Sequence, residues 1–123
     1  MAETLFFDPE GGAVSVEIRS GHAQDGSYSI TLWSENKVAE RFEGNFIDPH
    51  DDTHKLKTQA KSLDGRLLQA RAEIGITPPI TQFAVIVTLF QDGMSIGSLT
   101  RSGNEPTRIT VPVNLFARLL PRL

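Results

Sequence analysis

The sequence predicts an all-β fold, an antiparallel β-sandwich of about seven or eight short strands. Three observations predict it. Apolar residues recur at every second position through most of the 123-residue chain. Gly, Asp, Asn and Pro break these runs at short intervals. Helical spacing is confined to two short stretches, near 52–64 and 113–120.

Val14, Val16 and Ile18 alternate with Ser15, Glu17 and Arg19, and Tyr28, Ile30 and Leu32 alternate with Ser27, Ser29, Thr31 and Trp33. With Asp25-Gly26 between them, segments 13–20 and 27–34 read as an antiparallel hairpin with a rather long connection. Segment 38–44 sets Val38, Glu40 and Phe42 against Ala39, Arg41 and Glu43, and its charge suits an edge or half-exposed strand. Residues 52–64 have two readings. Leu56, Ala60 and Leu63 stand at helical spacing between Asp51-Asp52 and Gly65, while Lys55, Lys57, Gln59 and Lys61 alternate with Leu56, Thr58 and Ala60 as in a strand. A strand followed by a loop is the favoured reading. Leu68, Ala70, Ala72, Ile74 and Ile76 then mark a one-sided strand that Pro78-Pro79 stops. Residues 81–90 (TQFAVIVTLF) are apolar on both faces, as expected of a central strand covered on both sides. Asp92-Gly93 turns the chain into 94–100 as a second hairpin, and 107–113 is a strand whose Pro112 demands an edge or terminal position. The tail 113–120 (VNLFARLL) can form a short helix with Val113, Phe116, Leu119 and Leu120 on one side, ended by Pro121.

No domain-sized linker interrupts the chain, so 1–123 is read as a single domain, long enough to bury roughly two thirds of its unfolded surface. There is no Cys, which excludes thiol catalysis, Cys-ligated metal centres and disulfides. No apolar run approaches the roughly 20 residues of a membrane helix, and residues 1–12 carry Glu3, Asp8 and Glu10 without a basic residue, unlike a secretory signal. A soluble, cytoplasmic protein is the expectation. The net charge of −3 argues against a surface built for nucleic-acid phosphates. Residues 1–54 nevertheless hold eleven acidic and three basic side chains, net −8, and residues 55–123 hold four acidic and nine basic, net +5. Interleaved strands would make these charges merely complementary, which is the favoured reading; segregated halves would make the molecule a dipole.

Asp48, His50, Asp51, Asp52 and His54 form the densest group of metal-capable side chains. Loop carboxylates at this spacing suit Ca²⁺ better than Zn²⁺, with Asp25 as an added ligand from another loop. Neither the EF-hand pattern nor His-Glu-x-x-His is present, and a solvated turn explains the same residues. Ca²⁺ held on loops at one end of a β-sandwich is similar to C2-like domains in architecture alone, since no motif of that family stands in this chain. His22, Asp25 and Ser27 lie too close along one turn for a catalytic triad, and no nucleophile elbow or phosphate-binding glycine loop occurs. Lys55, Lys57 and Lys61, continued by Arg66 and Arg71, could offer an anion-binding surface, without interleaved aromatics for bases to stack on. Trp33 and Tyr28 fall on opposite faces of one strand, so neither can pair with the other as a sugar platform. By subtraction the chain reads as a non-catalytic protein–protein interaction or assembly module without a cofactor. It is expected to self-associate or bind a protein partner through Val113, Phe116, Leu119 and Leu120. The alternative is a Ca²⁺-dependent binding module using the 48–54 loop.

Overall fold

The computed structural model describes residues 2–22, 24–46, 52–107 and 109–123. Nine strands run in chain order: β1 (Glu3–Phe7), β2 (Val14–Ser20), β3 (Gly26–Ser34), β4 (Lys37–Phe46), β5 (Asp52–Lys55), β6 (Leu67–Gly75), β7 (Gln82–Gln91), β8 (Met94–Asn104) and β9 (Thr110–Pro121). A single 3-10 turn at Ala60–Ser62 is the one helical element among the described residues. The strands form a five-stranded sheet of order β1-β9-β6-β3-β4 and a four-stranded sheet of order β5-β2-β7-β8. All pairings are antiparallel except β1 with β9.

The period-2 pattern becomes burial directly. Along β2, Val14, Val16 and Ile18 are fully buried, and along β9 so are Val111, Val113, Leu115, Ala117 and Leu119, with outward residues between them. Both sheets feed one hydrophobic cluster. Across the sheets β4 touches β5, β6 touches β7, and β8 touches both β1 and β9.

Four expectations need correction. First, β2 and β3 are not a hairpin: β2 pairs with β5 and β7, whereas β3 pairs with β4 and β6 in the other sheet. Gly26 serves a close approach instead of a turn, because a Cβ there would collide with the carbonyl oxygen of Glu73 on β6. Second, the tail is no helix. Residues 113–120 continue the strand from Thr110, because alternate residues Val113, Leu115, Ala117 and Leu119 bury while Asn114, Phe116, Arg118 and Leu120 face out. Third, β7 is central as expected, but it is buried on one face alone, by Phe83, Val85, Val87, Leu89 and Gln91, and the opposite face of Ala84, Ile86, Thr88 and Phe90 is half-buried. Fourth, the acidic and basic segments are not interleaved. β4 and β3 in one sheet and β5 and β2 in the other lie together on one side, with β6 and β9, β7 and β8 on the other; β1, beside β9, is the exception.

The β7–β8 hairpin forms as read, with Asp92 at φ 54° and Gly93 at φ 78° supplying the two positive-φ residues of a tight turn. Segment 38–44 lies within edge strand β4. Pro112 sits where β9 has only β6 beside it, since β1 reaches no further than Ala117.

Candidate functional site

The 55–61 segment leaves β5 because Leu56 turns inward: its N–H donates to Val14 O at 2.9 Å and its side chain is buried. Ala60 and Leu63 follow it into the core through the 3-10 turn, where Ser62 N–H and Leu63 N–H donate back to Gln59 O and Ala60 O. Both readings of this stretch were therefore partly right, with a four-residue strand first and one helical turn after it. The turn leaves Lys55, Lys57 and Lys61 exposed along one wall of a groove of about 750 Å³. Residues 9–13 make the facing wall, and the floor between them is apolar, from Pro9, Ala13, Leu56 and Ala60.

Each wall is held by a side chain from elsewhere in the chain. Gln91, buried to 4% exposure, accepts from Asp8 N–H at 2.8 Å and donates from Nε2 to Asp8 O at 2.8 Å and Gly12 O at 3.0 Å. Asp92 accepts from Gly12 N–H at 3.1 Å. On the opposite wall the Glu40 carboxylate accepts from Lys57 N–H at 2.6 Å, Thr58 N–H at 2.9 Å and the Thr58 hydroxyl at 2.7 Å. Partial burial works to raise the pKa of Glu40, but these hydrogen bonds, aided by the Lys57 charge, outweigh it and hold the carboxyl below its ordinary value. None of Lys55, Lys57 and Lys61 is in an ion pair with a described residue.

The metal-loop residues divide. Asp48, His50 and Asp51 lie outside the described residues. Asp52 and His54 alternate on β5 opposite Ile18 and Val16, so both turn towards the core. His54 stacks on Phe42 with ring centroids 4.8 Å apart, and its Nε2 is hydrogen-bonded to the Tyr28 hydroxyl at 2.7 Å. Burial and the neighbouring Asp52 carboxylate push the Tyr28 pKa up, leaving it a neutral phenol. Gly44, opposite Tyr28 on β4, leaves the space this ring occupies. No group of three or more His, Asp or Glu side chains gathers among the described residues. Asp25, at the start of β3, uses its carbonyl oxygen to accept from Gly75 N–H.

Of the apolar tail, Val113 and Leu119 are buried in the chain's own core and have no surface to give a partner, because they face inward from β9. Phe116 and Leu120 are half-buried on the outward face, where Leu120 is opposite the exposed Phe6 of β1. Trp33 is also on an outward face, donating to Gln69 Oε1 at 3.0 Å, and Tyr28 is on the inward one.

A second surface feature is a strand edge. β8 spans eleven residues with Arg101 as its sole charge and pairs only with β7. An extra residue, Ile96, makes a bulge near the hairpin, and the ladder from Gly97 to Asn104 is regular beyond it. Beside it lies a cleft of about 510 Å³ whose lining includes Glu3, Leu99, Arg101, Pro112 and Phe116. The other sheet is open on this side too, since the Thr110–Phe116 part of β9 has no strand between it and solvent.

The Lys series was visible in the sequence, and the structure brings it into one groove. Glu40 and Gln91 were not singled out. Glu40 reads as one charge on an edge strand and Gln91 as a residue of a turn tripeptide, and no local pattern shows that either reaches a loop far away in the chain.

No family model matches the chain, and no curated protein or solved structure matches it. No helix among the described residues is long and apolar enough to cross a membrane.

Proposed function

We propose that the chain is a non-catalytic β-sandwich module, its two sheets face to face, that works by protein–protein association and pairs with a second copy of itself through β8. The observation that carries this reading is the unprotected β8 edge. The β4 edge bears Lys37, Glu40, Arg41 and Glu43, β5 has four residues, β1 has five, and the open part of β9 carries Pro112, whereas β8 has eleven residues and one charge. Charged, short or proline-bearing edges resist strand addition; a long uncharged one accepts it.

A second copy suits this edge better than an unrelated strand. Antiparallel self-pairing makes a closed two-fold interface. It sets the exposed Ser98, Thr100 and Ser102 of the two copies near one another, and hydroxyl pairs of this kind are favourable across strands. Glu3 and Arg101 line the same cleft, so the two-fold brings opposite charges together from both sides. Phe116, at the cleft wall, is the tail residue that retains a place in the interface.

Sedimentation of the whole chain from micromolar to near-millimolar concentration tests this. A dimer is expected to accumulate with concentration, and Ser98→Lys with Ser102→Lys is expected to return the mass to the monomer while leaving the far-ultraviolet spectrum and Tm unchanged. A wild-type monomer throughout, or a dimer that survives both lysines, overturns the reading.

A further inference from the structure

We propose that the groove between residues 9–13 and 55–61 is a binding site for a small amphipathic anion, a carboxylate or similar acidic head carrying an apolar body. Four observations lead there. The groove, at about 750 Å³, is within the size range of small-molecule sites. Its floor is apolar where Leu56 and Ala60 close it from below. Its rim carries three ammonium groups, from Lys55, Lys57 and Lys61, against the Glu10 carboxylate, and the Glu40 and Asp92 carboxylates behind the walls are engaged by backbone N–H groups. And its walls are preformed, each fixed by the long-range clamp of Gln91 or Glu40, so little ordering cost falls on the ligand.

The lysines are placed in a way that folding alone does not require. Lys55 ends β5, Lys57 stands in the bend that follows it and Lys61 in the 3-10 turn, and all three are exposed and line the groove. Lys57 is attracted by the Glu40 carboxylate, but like charges gathered without an ion pair among the described residues repel one another, and an anion between them lowers that cost.

The backbone offers the ligand little. Gly11 N–H is taken by Asp8 O, Gly12 N–H by Asp92, and the N–H groups of Leu56, Lys57 and Thr58 by Val14 O and Glu40. Recognition of the head therefore rests on side chains, the three ammonium groups and the Gln59 amide at the rim. Lysine acts here as a mobile point charge, which selects for negative charge more than for head-group shape, while the floor selects for an apolar body. Bare inorganic ions lack that second contribution.

Decanoate, decanol and decyltrimethylammonium, each below its aggregation concentration, are the probes, titrated into the whole chain and followed by calorimetry and by amide chemical shifts. Decanoate is expected to bind with shifts centred on Gly11, Gly12, Leu56 and Ala60, and more weakly as salt is raised. The neutral and cationic chains are expected to bind about tenfold or more weakly, and the triple variant Lys55→Gln, Lys57→Gln, Lys61→Gln is expected to lose about tenfold in decanoate affinity. These lysines are exposed, so a Tm for the variant no lower than that of the wild type establishes that the loss belongs to binding. No decanoate binding, binding equal to that of decanol, binding that the triple variant retains, or shifts confined to another surface each overturn the proposal. None of the groove-lining residues belongs to β8, so a monomeric wild type would leave this site standing.

Discussion

Replacing Glu40 by Gln removes one charge and reverses one hydrogen-bonding group in the clamp that holds residues 57–58. One side-chain oxygen can still accept from Lys57 N–H, but the new amide NH₂ faces Thr58 N–H, a second donor, where the carboxylate accepted at 2.9 Å. Hydrogen bonds to a charged group contribute about 1.5–3 kcal/mol each when shielded, and less for a half-buried carboxylate screened by water. The Lys57 bond survives in weaker form, the Thr58 hydroxyl can reverse to accept from the amide, and the Thr58 N–H is left facing a donor, so the substitution should cost about 2 kcal/mol in total. With an unfolding entropy of about 2.1 cal/mol/K per residue, that is a fall in Tm of about 8 °C for this chain. The pH dependence is the sharper test. The folded pKa of Glu40 lies below its reference value of 4.5. Its contribution is therefore complete above that reference value and is lost as pH falls through the lower folded one. Thermal unfolding followed by circular dichroism should show a wide gap between wild type and variant at neutral pH that closes in acid. A gap of the same size at both extremes, or none at neutral pH, would refute the assignment of the clamp to an ionised carboxylate.

Two further substitutions probe how the site is supported. Gln91→Ala strands Asp8 N–H and Gly12 O without their partner, leaves Asp8 O with Gly11 N–H alone and opens a small cavity, so denaturant unfolding should show a loss of about 2–3 kcal/mol, with weakened decanoate binding as the 9–13 wall loosens. Gly44→Ala puts a methyl group against the Tyr28 ring and should destabilise by about 1–3 kcal/mol; a neutral result would mean that the ring can leave its bond to His54 at no cost.

The fold was legible where alternation is strong and burial one-sided. The runs at 14–18, 28–32 and 68–76 gave strands whose inward residues are those that pack, and Asp92-Gly93 gave its hairpin because both positions need positive φ. Pairing was not legible. Asp25-Gly26 looks like a turn signal, yet glycine is there to admit the backbone of β6, and only the tertiary structure distinguishes the two uses. The tail misled for a related reason: Val113, Phe116 and Leu120 satisfy a helical stripe, but Val113, Leu115, Ala117 and Leu119 also satisfy a strand, and the space between β6 and β1 decides for the strand. β1 itself, five residues around Leu5 and Phe7, is too short to register as alternation. In the candidate site, the lysines were legible as a charge series, but their common groove depends on clamps from Glu40 and Gln91 that no local pattern reveals.

The parallel ladder of β1 on β9 has a kinetic consequence. It sets Glu3 opposite Ala117 and Phe7 opposite Pro121, so a chain emerging from the ribosome cannot complete it until residue 121 has been made. Until then Leu5 and Phe7, both buried at the end, remain without their covering strand. Pairings that span most of the chain carry the full entropy of loop closure before they return any contact, which places folding in the slow, millisecond-to-second regime of all-β domains. The unfinished sheet exposes its strands for that long, and a β8 edge with so little charge is a hazard for aggregation during its making.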